Sequence, residues 1–375
     1  MKKTVIIIII VLGVLAMGSG IYFAWRKTSS ILTPPLGSSI EGGSFSVIET
    51  DIPENLALKM KILNDQPALN YLVFQDSENG ESIFYLNNEG MILKTEEDKD
   101  DEIIVQEPIE NIQSIKASAD GKRMIIKSGD LSYPNFVIFN VEERIFEVLP
   151  ENITSVDFSP DAESVAYLKI NGEKSDLIIK NLINTKQKDI NIISIYQKDF
   201  NLDWISSSKI VLSPKFSAFN LSSNWIVDIS KKTINLWGEE AYGLITKWAQ
   251  NGEIGLRFSS RLKGREAFLN LINIDGQIRA NISFLTLPQK CFIADPKIYC
   301  AIPNSIPSKT VLPDDYFKKA FYSIDSFYQI DVNENSLLEI FTETDPAIDA
   351  INLNLVGDKL YFINRYDNGI YSLEL

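Results

Sequence analysis

The sequence predicts an all-β fold: a β-propeller of about seven four-stranded blades, preceded by one N-terminal transmembrane helix. Three observations predict it. The segment Ile153-Thr-Ser-Val-Asp-Phe-Ser-Pro-Asp-Ala-Glu-Ser-Val-Ala-Tyr-Leu168 reads as strand, tight turn, strand. Weaker copies recur at a spacing of roughly 40–50 residues, and that period with four short strands per repeat is the mark of a propeller. An apolar run without a single charge, residues 5–25, comes before all of them.

The apolar run is the first element. At about 1.5 Å per residue it crosses a hydrocarbon core of about 30 Å. Its twelve Ile, Val, Leu and Phe residues favour insertion by about 6 kcal/mol, at roughly −0.5 kcal/mol each. Tyr22 and Trp25 lie at its outer end, where amphipathic rings anchor at the interface. Small residues around Ala16-Met-Gly-Ser-Gly20 would permit a cleaved signal peptide, but no A-x-A site is present, and no cysteine there allows lipoprotein processing. The expectation is an uncleaved signal anchor over residues 1–27. It would leave the N-terminus cytoplasmic and the rest of the chain extracytoplasmic in a single-pass membrane protein.

Residues 28–44, with Thr, Ser, Gly and the Pro34-Pro35 pair, read as a linker. The propeller is expected over residues 45–375, where a hydrophobic content of 45% is enough for a large core. The whole chain carries −14, and residues 1–30 hold four cations and no acid, so the exported part is the more acidic. A surface of that sign repels nucleic acid and anionic lipid, which excludes DNA or RNA as partner.

Seven units follow, at 71–95, 112–149, 153–192, 202–237, 244–284, 291–341 and 351–373. The first and the last each show three strands. Residues 44–48 are the expected outer strand of the last, closing the ring by pairing the two ends of the domain. Irregularity in the first and sixth units leaves six and eight blades open.

Within the units, Ser118-Ala-Asp-Gly121 and Ser159-Pro-Asp-Ala162 join first and second strands. Ser and Asp bond turn amides, Pro presets φ and Gly121 supplies positive φ. Asn251-Gly252 and Gly357-Asp358 take the same place in the fifth and seventh units. On these turns the chain, over about residues 45–375, resembles the TolB/WD40-like propeller superfamily, whose blades carry a Ser-Pro-Asp-Gly turn here. The Trp-Asp endings and the histidine of true WD40 blades are absent. Lys290-Cys-Phe-Ile, Ile298-Tyr-Cys-Ala-Ile-Pro303, Leu312-Pro-Asp-Asp-Tyr316, Asp325, Gln329-Ile-Asp331 and Ile348-Asp-Ala-Ile-Asn-Leu353 resemble the last two blades of membrane-anchored propellers from candidate-phylum bacteria. That resemblance implies location and shape, not activity.

Two cysteines are the strongest local signal. If the turn in Ala294-Asp-Pro-Lys297 is centred between Asp295 and Pro296, Cys291 lies opposite Cys300, at a separation a disulfide spans. Two buried thiols are the alternative. A zinc site lacks ligands, because the chain has no histidine. The same absence removes Ser-His-Asp and Cys-His catalysis and His-ligated metals, leaving carboxylate chemistry alone. Glu96-Glu-Asp-Lys-Asp-Asp-Glu102 reads as a solvated loop, and Asp331-Val-Asn-Glu-Asn335 as a hairpin turn with its next acid at the wrong place for calcium. No catalytic, cofactor or metal residue is expected.

The loops between second and third strands are long at 214–223, 259–265 and 303–326. They carry Phe216, Phe219, Arg261, Arg265, Tyr316, Phe317 and Tyr322, a composition suited to binding, and 313–323 is expected to hold a short helix. The alternative is that these aromatics only pack the insertion onto the ring. Trp204 and Trp248 are expected in the core or lining the channel. The sequence thus points to a non-catalytic, membrane-anchored module holding a protein or envelope glycan on the loop face. The competing reading is a carboxylate-dependent polysaccharide hydrolase or lyase working in the central channel. It needs two acids in one pocket, with one pKa raised by burial.

Overall fold

The computed structural model describes residues 46–47, 60–76, 80–97, 99–184, 186–342 and 346–375. The expected transmembrane helix and linker lie outside the described residues.

Alternating apolar positions and turn residues produce short antiparallel strands throughout. The first sheet joins Ala68–Asp76, Gly80–Asn87, Ile92–Thr95 and Glu102–Val105 in sequence order. It therefore has a fourth strand that the sequence reading left out, because Glu102 ends a run of charges that masks the apolar Ile103 and Ile104. The second joins Ile112–Ala117, Arg123–Gly129, Pro134–Asn140 and Ile145–Val148, and the third Ile153–Phe158, Ser164–Asn171, Lys174–Asn181 and Ile190–Ile195.

The next sheet has seven strands: Phe200–Ser206, Lys209–Pro214, Leu221–Asp228, Thr233–Trp248, Ile254–Arg261, Arg265–Asn273 and Ile278–Ile282. Its middle strand is the outer strand of one unit and the inner strand of the next. The pairing shifts between Tyr242 and Ile245, and Gly238 and Gly243 leave extended geometry at positive φ, so the chain bends from one unit to the other within one continuous strand.

Cys291–Ala294, Lys297–Pro303, Asp325–Asp331 and Ser336–Thr342 follow, then Ala350–Val356, Lys359–Asn364 and Gly369–Glu374. The outer strand of this last sheet is Met60–Ile62, paired antiparallel with Gly369–Glu374. That corrects the expectation for 44–48. Ser46–Val47 instead runs parallel to Ser336–Thr342 on the edge of the preceding sheet. The physical reason is reach and direction. The chain must enter the first sheet at Ala68, and only a strand just before that point can pair and turn in directly. Leu63 N–H on Ile370 O (2.9 Å) and Ala68 N–H on Asn368 O (2.8 Å) hold this passage.

Each sheet packs face to face on the next. Leu72, Phe84 and Leu86 meet Met124, Ile126 and Phe139, and Ile125, Phe136 and Ile138 meet Val156, Phe158 and Tyr167. Leu168 and Leu177 meet Leu202, Ile210 and Val227. Trp237 and Trp248 (5.3 Å between rings) bridge the two halves of the seven-stranded sheet. Phe327 packs with Leu360 and Phe362, and Tyr361, Ile363 and Ile370 return to Tyr71, Tyr85 and Leu93 of the first sheet. The contacts run in a closed circle.

First and second strands are joined by the expected turns. Ser118 Oγ donates to Asp120 (2.5 Å) and accepts from Arg123 N–H (2.9 Å); Ser159 does the same with Asp161 (2.5 Å) and Ser164 (2.9 Å). Gly252 shows why glycine is needed at its turn. Its φ is +70°, and a Cβ there would stand 1.8 Å from the Ile205 carbonyl oxygen of the neighbouring unit.

Candidate functional site

Chain direction gives the circle two unlike ends. First strands run from the end holding the unit-to-unit connections toward the end holding the first turns. The loops between second and third strands therefore share the connection end.

The inner wall encloses a channel of about 760 Å³, lined by inner strands at residues around Tyr71, Lys116, Asp157, Trp204, Lys247, Phe292 and Asn354. Trp204 and Trp248 both line it. Lys116 reaches across its own sheet's neighbour, placing Nζ 2.7 Å from Asp157 Oδ2 and 3.3 Å from Asp203 Oδ1. Asp157 also accepts Trp204 N–H (2.8 Å). Burial, with the Asp203 charge added, outweighs Lys116 and raises Asp157 to about 6. Burial acts to lower the Lys116 ammonium, but its two carboxylates prevail and hold it above its ordinary value. Lys247, whose Nζ donates to Cys291 O at 2.5 Å, is lowered to about 8 by burial alone.

The sequence reading named none of these charges. A signal was present: aligning the turns Ser118 and Ser159 sets Lys116 against Asp157, two residues ahead of each, at a strand position where an apolar residue is the norm.

At the connection end, the insertion 303–326 folds over the neighbouring loops. Its helix is one turn, Asp314–Phe317. Ala218 N–H donates to Asp314 Oδ2 (2.7 Å), and the Phe216 and Phe317 rings lie 4.5 Å apart. Phe216 is half-buried in that contact, whereas Phe219 (50%), Phe317 (38%) and Tyr322 (40%) are exposed. Arg261 is exposed and paired with Glu266 (2.8 Å), and Arg265 is exposed beside it. Tyr316 departs from the set: at 3% exposure it is a core residue.

Tyr316 is buried because a charge network needs it. Lys290 Nζ bonds Asp325 and Asp349 at 2.6 Å each, Ser323 Oγ at 3.1 Å and Tyr316 Oη at 3.2 Å. Arg365 holds the other oxygen of Asp349 (2.7 Å) and donates to Tyr316 O (3.0 Å). Burial raises Asp325, while the cations overcome burial at Asp349 and lower it. The Arg365 guanidinium lies 3.9 Å from the Tyr316 ring and 4.6 Å from the Tyr322 ring, and Tyr322 meets Tyr366 at 5.3 Å. The outermost aromatic pair thus stands on a buried ionic base.

Cys291 pairs directly with Cys300, and a disulfide with Cα atoms 4.1 Å apart joins them in the core. The Asp331 carboxylate accepts the Asn333 (2.9 Å) and Glu334 (3.0 Å) amides, forming a hairpin turn. Among the described residues, no group of three or more acids or cysteines is arranged to hold a metal.

No family model matches the sequence, and no curated protein matches it. Solved structures do match. The β-propeller domain of Cps50 (Swd1) from Myceliophteria thermophila has a TM-score of 0.53 at 7% identity, covering 84% of this chain and all of that one. The β-propeller domain of the Trilobed protease from Pyrococcus furiosus, which has an open velcro topology, gives 0.50 at 13%, covering 84% and 93%. The tricorn protease gives 0.52 at 11%; 87% of this chain matches only 34% of that one, so the chain spans about a third of its length. The fold these structures share with the chain is the β-propeller.

Proposed function

We propose that the protein is a membrane-anchored, extracytoplasmic and non-catalytic binding module. A helix over residues 5–25 anchors it, 28–44 form a linker, and 45–375 form a seven-bladed ring that presents its connection face to a protein or envelope glycan. The seven-blade count is supported by the seven first strands lining the channel. One observation carries the binding reading. Tyr133, Tyr196, Phe219, Phe317, Tyr322 and Tyr366 are exposed, and all six lie on loops or strand ends of the connection face. Rigid aromatics over a fixed scaffold bind at low entropic cost. The test is photocrosslinking in membranes from Tyr322 or Tyr366, each replaced by a photoreactive phenylalanine. Adducts are expected at both and not at Phe268 on the ring's flank; equal adducts at all three would remove the face from consideration.

A second reading is favoured by Asp157 and Asp203. Two carboxylates on one channel, one raised to about 6, suit acid–base work on a glycan. An oligogalacturonate lyase shares the fold, with a TM-score of 0.50 at 10% identity. Glycan turnover abolished by Asp157→Asn would establish this reading over the first.

A further inference from the structure

The channel is physically separate from the aromatic face. Its lining includes the first turns Ser118–Gly121 and Ser159–Pro160, so it reaches the turn end of the ring. Its volume of about 760 Å³ lies within the range of small-molecule pockets, about 300–1,000 Å³.

The wall's chemistry narrows the occupant. On one side Lys116 is already matched by Asp157 and Asp203, leaving carboxylate in excess there. A phosphate or other strong anion meets repulsion on that side. An apolar molecule would strip water from the three charges and return no hydrogen bonds. On the other side the Lys247 ammonium is turned onto Cys291 O, and the polar groups beside it are uncharged: Thr246 Oγ1, Trp248 Nε1 and Gln289 Oε1, all set in the wall without a hydrogen-bond partner. Such orphaned atoms cost about 1–3 kcal/mol each unless an occupant or water completes them. The rings of Trp204 and Phe292 add apolar surface between the two sides.

We propose that the channel is a saccharide site, taking one or two residues of a neutral glycan. Hydroxyls both donate and accept, so they suit carboxylate oxygens on one side and indole, hydroxyl and amide groups on the other. The less polar ring faces lie against Trp204 and Phe292. The proposal goes beyond the connection-face reading and does not rest on it.

Saturation-transfer NMR on the full-length protein in nanodiscs tests it, with maltose, cellobiose and N,N′-diacetylchitobiose as neutral probes and galacturonate as the charged one, each at millimolar concentration. Transfer to at least one disaccharide is expected. Asp203→Asn and Asn354→Ala should each weaken it by about tenfold or more, while Tyr322→Ala/Tyr366→Ala leaves it unchanged. Asn354→Ala keeps the test valid if Asp203→Asn lowers the melting temperature. Three outcomes overturn the proposal: no transfer to any probe, transfer unaffected by the channel substitutions, or transfer to galacturonate alone. Loss in the Tyr322/Tyr366 variant alone would instead assign the glycan to the connection face.

Discussion

Three lysines in this ring show how burial and partners divide the fate of a charge. Lys116 and Lys290 each bond two carboxylates, and both are held above the ordinary lysine value. Lys247 bonds a backbone carbonyl, and burial lowers it to about 8. In the unfolded chain the same amine keeps its proton up to about 10.5. Between those values the unfolded state binds more protons, so this group makes stability rise with pH from about 8 to 10.5. Below about pH 8 the charged form is retained at a cost of at most about 3 kcal/mol. Lys247→Met is therefore expected to stabilise the protein by about 1–3 kcal/mol at pH 7. The gain should shrink toward pH 10. Urea unfolding at the two pH values measures it; an equal gain at both, or a loss at pH 7, contradicts the assignment. Of the three lysines only Lys116 left a signal, through the aligned Ser118 and Ser159 turns, because the partners of all three lie far away in sequence. Lys290 and Asp349 are 59 residues apart, and Lys116 and Asp203 are 87 apart.

Elements were more legible than residues where a local rule governs them. The Ser118 and Ser159 turns could be read because all their partners lie within five residues. The Cys291/Cys300 register followed from a two-residue turn in the same way. The three-residue strand Met60–Ile62 could not be read, because its partner is more than 300 residues away and so short a strand carries no period. The cysteine hairpin also carries an energetic consequence. Its disulfide closes a loop with a sequence separation of 9 inside the core between two units. Loop entropy assigns such a bridge about 2–3 kcal/mol. Cys291→Ala/Cys300→Ala should lose about that much in urea unfolding, and the parent in reductant should move toward the variant. A free-thiol count of two in the unreduced parent would contradict the bridge.

At the scale of the whole molecule, the ring's weakest place is where its two ends meet. Every other unit takes its four strands from one stretch of sequence, with Ser46–Val47 only an added fifth strand on the edge of one, but the last sheet borrows Met60–Ile62 from the other end of the domain. The seam has more than strand pairing. Asn64 Oδ1 accepts Ile370 N–H (2.6 Å), Thr95 Oγ1 donates to Leu63 O (2.6 Å), and Glu97 pairs with both Lys359 (2.9 Å) and Lys61. The ion pairs are partly exposed and contribute little, about 0–1 kcal/mol each. The buried contacts of Tyr71, Tyr85 and Leu93 with Tyr361 and Ile370 contribute most. Removing the closing strand leaves that apolar contact in place but bares the edge of Gly369–Glu374, a template for pairing with other chains. A chain starting at residue 58 should therefore melt close to one starting at residue 44 and stay monomeric. A chain starting at residue 66, eight residues shorter, should melt several degrees lower, since about 1 kcal/mol shifts a large domain by roughly 2–4 °C. It should also associate on concentration. Calorimetry and light scattering on the two chains decide it. If both melt and sediment alike, the ring is closed by face packing alone, and Met60–Ile62 is an ornament on its edge rather than its latch.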